Sequence, residues 1–351
     1  MTEARHPARR RALAALVALP ALAPAARLLA APTASAAPLL QLFGRLRARP
    51  MRLFAAGPPA AVLLACLAPE RLLGWPAAPS EAARRWLPES LRDKPALGRL
   101  SGRGSTVSVE ALLALQPDLI VDAGSVDATQ ASTARRVAEQ TGLPCLLIDG
   151  RLADSPRQLR ELGRLLGTEA HAQALAEYAE QALALPARSA TARRPGVYLA
   201  RGADGLETAT AGAINAEIIE AAGGRNVADT GHAGVARVSL EQVLAWAPDW
   251  VLTQDRQFHR LAMTDTRWRS LAALREGRLL LAPDRPFGWL DGPPALNRLL
   301  GLRWLAMRLA QPAPVDAANA QVLDEAQRFY RLFYGLNPGR AALQGLLHGD
   351  A

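Results

Sequence analysis

Four kinds of side chain in this sequence stand where they could do chemistry: paired glutamates, arginines beside glycines, a loop histidine and a loop tryptophan. Glu110 and Glu241 each follow a serine by two places, in stretches 107–122 (VSVEALLALQPDLIVD) and 238–253 (VSLEQVLAWAPDWVLT) that match at seven of sixteen positions without a gap. Carboxylates in a first helical turn are stabilised by the helix dipole, by about 0.3–1 kcal/mol. Arg103 lies within Ser-Gly-Arg-Gly-Ser, and Arg201 precedes Gly202. A guanidinium is permanently charged and forks onto carboxylates, phosphates and other oxyanions. Placed at the end of a predicted strand, Arg201 would aim that fork at a cleft, where a charge-assisted hydrogen bond adds about 1.5–3 kcal/mol. Its alternative is a salt bridge to a neighbouring carboxylate such as Asp204. His232, between Gly231 and Gly234, is a candidate ligand contact or a surface side chain. Trp289 either stacks on an aromatic catechol or macrocycle or fills a core. Pro58 and Pro59 open a predicted helix after Gly57, and a helix N-terminus can hold an anion.

Catalytic and metal chemistry find few residues to use. The five histidines (His6, His171, His232, His259, His348) never fall at metal-ligand spacing, and no HExxH, nucleophile elbow or P-loop occurs. The glycines around Arg103 lack the third glycine of a dinucleotide fingerprint. Cys66 and Cys145 belong to no CxxC pattern, so structural zinc and iron–sulfur clusters are not expected. The pair would form one disulfide in an oxidising compartment or stay as buried free thiols, and the thiols are the expectation. Leu63-Leu64-Ala65-Cys66 has the look of a lipid-attachment box but lies far beyond any signal peptide.

The elements that position these residues follow from hydrophobic period and turn chemistry. In each repeated unit a serine precedes apolar residues at helical spacing, Pro-Asp punctuates, and a short apolar run follows, which reads as helix, turn and buried strand. One recurrence at this distance implies two similar lobes rather than a solenoid. A strand ending at Ala55 precedes the proline-led helix, and residues 75–100 read as mostly irregular surface. Residues 134–141 continue as helix, 144–149 as strand, and Ser155-Pro156 starts another helix. From 169 to about 185, Ala172, Leu175, Tyr178, Ala179, Ala182 and Leu183 make an apolar stripe on a rod of roughly 25 Å, long enough to bridge two lobes. Beyond it follow a strand at 197–200, a helix at 213–222, a strand at 278–282, and helices at 297–309 and 321–332. The fold class is therefore α/β: two similar lobes with mostly parallel sheets, joined by a single long bridging helix, with a ligand cleft between them. Expected divisions are a signal peptide at 1–36, an N-terminal lobe at 37–167, the bridge and linker at 168–192, and a C-terminal lobe at 193–351.

Composition fits export. Residues 1–36 carry Arg5, Arg9, Arg10 and Arg11, an alanine- and leucine-rich stretch, and Ala34-Ser35-Ala36, the pattern of a secretory signal cut near Ala36. The arginine run favours the twin-arginine route. The apolar stretch falls short of the ~20 residues that span a bilayer. The whole chain has a formal charge of +9, and losing five Arg and one Glu with the signal leaves +5. Lys94 is the single lysine, and no basic run interleaved with aromatics marks a nucleic-acid face.

The paired units, Ala-Ala-Gly-Pro-Pro at 55–59, the single bridging helix and Glu-Ala-Ala-Gly-Gly-Arg-Asn at 220–226 carry a resemblance over about residues 51–309. The chain resembles the periplasmic binding proteins of iron-siderophore, haem and cobalamin ABC importers. Segments 102–122, 201–209 and 286–299 resemble an iron-complex subgroup whose relatives take oxyanions or metal chelates. The resemblance implies an exported monomer that captures an iron complex and hands it to a permease in the inner membrane, without catalysis or a resident cofactor. Runners-up are an oxyanion such as molybdate or tungstate, cobalamin or a nickel chelate. From another class come a periplasmic α/β enzyme and a non-transport scaffold. It further implies that Glu110 and Glu241 dock into arginine pockets of the permease, their separation reporting lobe geometry to a two-fold partner. The ligand would lie at the strand carboxyl ends, with Pro58, Pro59, Arg103, Arg201, His232 and Trp289 as candidates.

Overall fold

Two four-stranded sheets carry the molecule. In the computed structural model, which describes residues 38–101, 105–188, 193–310 and 320–349, the N-terminal sheet has the order Leu40–Phe43, Cys145–Asp149, Leu119–Gly124, Leu53–Ala55. Its pairs are parallel except for the antiparallel edge strand Leu40–Phe43. The C-terminal sheet runs Leu279–Leu281, Trp250–Thr253, Gly196–Ala200, Arg225–Asn226, all parallel. Strands of this kind are covered on both faces, and Leu119, Ile120, Val121, Val251 and Leu252 are accordingly buried. The expected signal segment and Arg103 lie outside the described residues.

The repeated unit folds alike in both places. Ser108 Oγ accepts a hydrogen bond from Ala111 N at 3.1 Å and opens the helix Val109–Ala114, while Ser239 Oγ accepts from Gln242 N at 3.2 Å and opens Leu240–Trp246. Just before each proline the chain adopts positive φ, 47° at Gln116 and 43° at Ala247, the two non-glycine cases among the described residues. A following proline disfavours the right-handed helical region, so the helix must stop here. The aspartate after the proline then secures the neighbouring strand. Asp118 Oδ2 accepts from Met51 N at 2.8 Å and Arg52 N at 2.9 Å, and Asp249 Oδ2 accepts from Gly196 N at 2.6 Å.

Between the sheets runs the helix Glu169–Arg188, with Ala172, Leu175, Tyr178, Ala179 and Ala182 buried as the stripe requires. Gly163 lets the helix Ser155–Leu166 close onto it, because a Cβ there would collide with that of Ala172. Tyr178 packs against Phe329 and Phe333, with ring centroids 5.6 and 5.3 Å away, and Arg328 lies 5.2 Å over its ring. Truncating such an aromatic to alanine costs about 3–5 kcal/mol.

Two expectations need correction. Residues 75–100 are not mere surface: Trp75, Leu87 and Leu91 are buried, short helices form at Glu81–Arg84 and Glu89–Arg92, and Trp75 and Trp86 pack on Phe287 and Tyr330 of the C-terminal lobe. Prolines hid these elements by breaking the period. The predicted helix at 213–222 is only Glu217–Ala221, the turns before it serving to bury Ala213 and Ala216. Both cysteines are free and buried, and burial pushes each thiol up to about 12.

Candidate functional site

The carboxyl end of Gly196–Ala200 delivers Arg201. Gly202 and Gly205, at φ 75° and 71°, turn the chain back so that Arg201 and Glu207 pair through their backbones, N to O at 2.7 and 3.2 Å. A side chain at Gly205 would strike the Phe258 ring, so this tight return needs glycine. The guanidinium then meets two carboxylates: Nη2 lies 3.3 Å from Asp291 Oδ2 and Nη1 3.6 Å from Glu207 Oε1. Asp204, the partner foreseen from sequence, pairs with Arg237 instead. Asp291 is held from behind, its Oδ1 accepting from Asn215 Nδ2 at 2.9 Å and Gly292 N at 2.7 Å. Gln254, just past the strand Trp250–Thr253, clamps the same loop by accepting from Leu290 N and Asp291 N and donating to Asp291 O. Arg201, Gly202, Gln254, Asp291 and Gly292 line a recess of about 220 Å³.

In the N-terminal lobe a second recess opens at Asp122, on the strand Leu119–Gly124, the counterpart of Trp250–Thr253. Ser101 Oγ donates to its Oδ1 at 2.8 Å and Ala123 N donates at 3.0 Å. Burial raises the Asp122 pKa above its ordinary value, against these two bonds, which lower it. The recess, of about 210 Å³, is apolar at Ile120, Val137 and Cys145 and polar at Thr129, Gln130 and Thr133. A Cβ at Gly57 would come within 2.6 Å of Ser101 Oγ, so a side chain here would push that serine from its present position before the helix Pro58–Leu67. Pro58 and Pro59 occupy the first helical positions and bring no N–H, so this helix end offers an anion fewer donors than the sequence reading assumed.

The strand ends meet through one arginine. Arg298 is fully buried, with Nη2 donating to Gly150 O at 2.6 Å in the N-terminal lobe and Nη1 donating to Ile214 O at 2.9 Å and Glu217 Oε2 at 3.1 Å in the C-terminal one. Glu217 Oε2 also accepts from Leu152 N at 2.9 Å. Desolvation lowers the Arg298 pKa, and Glu217 offsets it. Removing that carboxylate would strand a buried charge, a change that costs about 3–5 kcal/mol.

Of the candidates among the described residues, Pro58, Pro59, Trp289 and His232 line neither recess. Trp289 is fully buried, its Nε1 3.4 Å from Tyr330 Oη, so stacking on a ligand is corrected to anchoring the loop that presents Asp291. His232 is exposed, with Nδ1 3.3 Å from Thr230 O, in a loop pinned by Thr210. Glu110 and Glu241 are both exposed, and each has its pKa lowered, first by a backbone N–H bond and then by the capping serine. Apolar Val109, Leu113 and Leu244 are exposed around them. Sequence reasoning missed Ser101, Asp122, Gln254, Asp291 and Arg298. Asp122 left a signal, since it ends one unit where the other ends in Thr253.

Among the described residues no histidine is hydrogen-bonded to a carboxylate or serine, no group of three His, Cys, Asp or Glu could hold a metal ion, and no helix is long and apolar enough to cross a membrane. A family model described as periplasmic binding protein matches residues 76–286. The molybdate-binding protein MolA of Haemophilus influenzae is 35% identical over 141 residues, 39% of each chain. A solved ABC transporter solute-binding protein from Sulfurospirillum deleyianum superposes with a TM-score of 0.77 at 25% identity, covering 86% of this chain and 95% of its own. The structure of MolA with bound molybdate superposes with a TM-score of 0.63 at 22% identity, covering 82% and 94%. With its paired parallel sheets, bridging helix and matched units, the chain belongs to the periplasmic binding protein family and has the two-lobed fold of ABC-importer solute-binding proteins.

Proposed function

We propose that this protein is exported to the periplasm, captures a compact oxyanion such as molybdate between its lobes, and delivers it to an ABC importer permease in the inner membrane. The observation that carries this reading is Arg201. Its charged fork stands at a strand end in an open recess of the C-terminal lobe, where a guanidinium can pair with an anionic ligand. Trp289, the aromatic that the sequence offered for stacking, is buried, which supports a compact anion over an aromatic ligand. The MolA segment agrees with this choice. An iron complex, the first expectation from sequence, is the second reading, because the same fork would hold the oxygen-rich rim of an anionic ferric chelate. Binding rather than catalysis is proposed. Glu110 and Glu241 serve as docking points, and the lobes at 37–167 and 193–351 move little about the bridge.

Native mass spectrometry of the protein with molybdate, ferric siderophore, haem, cobalamin or nickel chelate tests the reading. A one-to-one molybdate adduct that Arg201→Gln removes is the expected result. An adduct with a ferric chelate alone would transfer the assignment to the second reading, and no adduct with any would reopen the enzyme and scaffold alternatives.

A further inference from the structure

We infer that Asp291, helped by Glu207, is a built-in counter-anion of Arg201 that an incoming oxyanion must displace, so that it sets how strongly the site takes anions. The inference rests on the oxyanion reading of the Arg201 recess. Asp291 Oδ2 and Arg201 Nη1 are both buried without a hydrogen-bond partner, although the two side chains lie 3.3 Å apart. Charge compensation is therefore present without aligned bonds, and the fork keeps donors that a tetrahedral oxyanion could use at better geometry. The acid cannot turn its other oxygen to Arg201 without giving up Asn215 Nδ2 and Gly292 N, which fix Oδ1. Glu207 stands further off, at 3.6 Å, on a side chain about one third exposed, and so competes less. An anion entering here exchanges with a carboxylate rather than meeting a bare cation.

The test titrates molybdate by calorimetry into the full chain, Asp291→Asn and Glu207→Gln, in chloride-free buffer. Asparagine keeps an oxygen for Asn215 and Gly292 while losing the charge. The expected outcome is molybdate affinity raised roughly tenfold by Asp291→Asn and less by Glu207→Gln. If the acids merely position Arg201, both variants bind molybdate equally or more weakly, which overturns the inference. A second readout needs no ligand: the rate at which phenylglyoxal modifies Arg201, followed by peptide mass spectrometry, should rise in both variants. Should molybdate bind none of the proteins, faster modification would keep the counter-anion and remove the oxyanion reading. An unchanged rate would remove the counter-anion. Glu207→Gln, at a position about one third exposed, covers the case in which Asp291→Asn does not fold.

Discussion

At the helix end of the unit 107–122, Ser108 caps its helix and Glu110 stands exposed; at the helix end of 238–253, Ser239 and Glu241 repeat the arrangement. At the turn, Gln116 and Ala247 share positive φ, and Asp118 and Asp249 both catch the neighbouring strand's backbone. The strand ends differ. One closes on Asp122, a half-buried carboxylate beside Ser101, and the other on Thr253, whose Oγ1 accepts from Asp255 N before Gln254 clamps the Asp291 loop. A surface that meets a two-fold partner gains from being the same in both lobes, whereas a surface that meets a ligand without that symmetry gains from being different. The matched helix ends thus fit docking, and the unmatched strand ends fit ligand recognition.

The largest expected effect comes from breaking the matched ends. Converting Glu110→Arg together with Glu241→Arg should abolish ligand uptake in cells while leaving affinity in solution unchanged, and each single reversal should cost uptake to a similar degree. Undiminished uptake by the double variant would contradict the docking role. Next in size, Asp118→Ala and Asp249→Ala should each lose about 1.5–3 kcal/mol in denaturant unfolding, since both remove a carboxylate that accepts backbone hydrogen bonds. A large loss in one copy and none in the other would mean the two units are not equivalent. Ser108→Ala and Ser239→Ala should lose about 1 kcal/mol each through the missing cap.

The smallest effect sharpens the unmatched ends. Because burial raises the folded-state pKa of Asp122, the folded form holds its proton more tightly than the unfolded one. Stability contributed by this group is thus fully present below the ordinary carboxylate pKa and is lost as pH rises through the raised value. Asp122→Asn should be more stable than the parent at pH 7, with the gap shrinking toward pH 4 in urea titrations. A gap that widens on acidification would mean that the carboxylate is stabilised where it sits.

Much of this architecture was legible from period and punctuation. The helices Pro58–Leu67, Ser155–Leu166 and Asn297–Leu309 start where Pro, Ser-Pro and Asn announce them, and the bridging stripe is buried as written. The site was less legible because its decisive contacts join residues far apart in the chain. Arg201 was identified from its place before Gly202, but its partner Asp291 arrives from a loop ninety residues later, behind a buried Trp289. Arg298 sits in a helix whose period offers no hint that its guanidinium ties Gly150 to Glu217. Tertiary packing decides such pairs, and a local pattern carries no trace of them.

The most direct test of the central claim is a crystal structure of the protein grown with molybdate, with the metal located by its anomalous scattering. One molybdenum is expected between the lobes, with its oxygens in hydrogen-bond reach of Arg201 and with Asp291 drawn away from the guanidinium. A molybdate bound elsewhere, or an Arg201 still paired with Asp291 beside an occupied site, would contradict it.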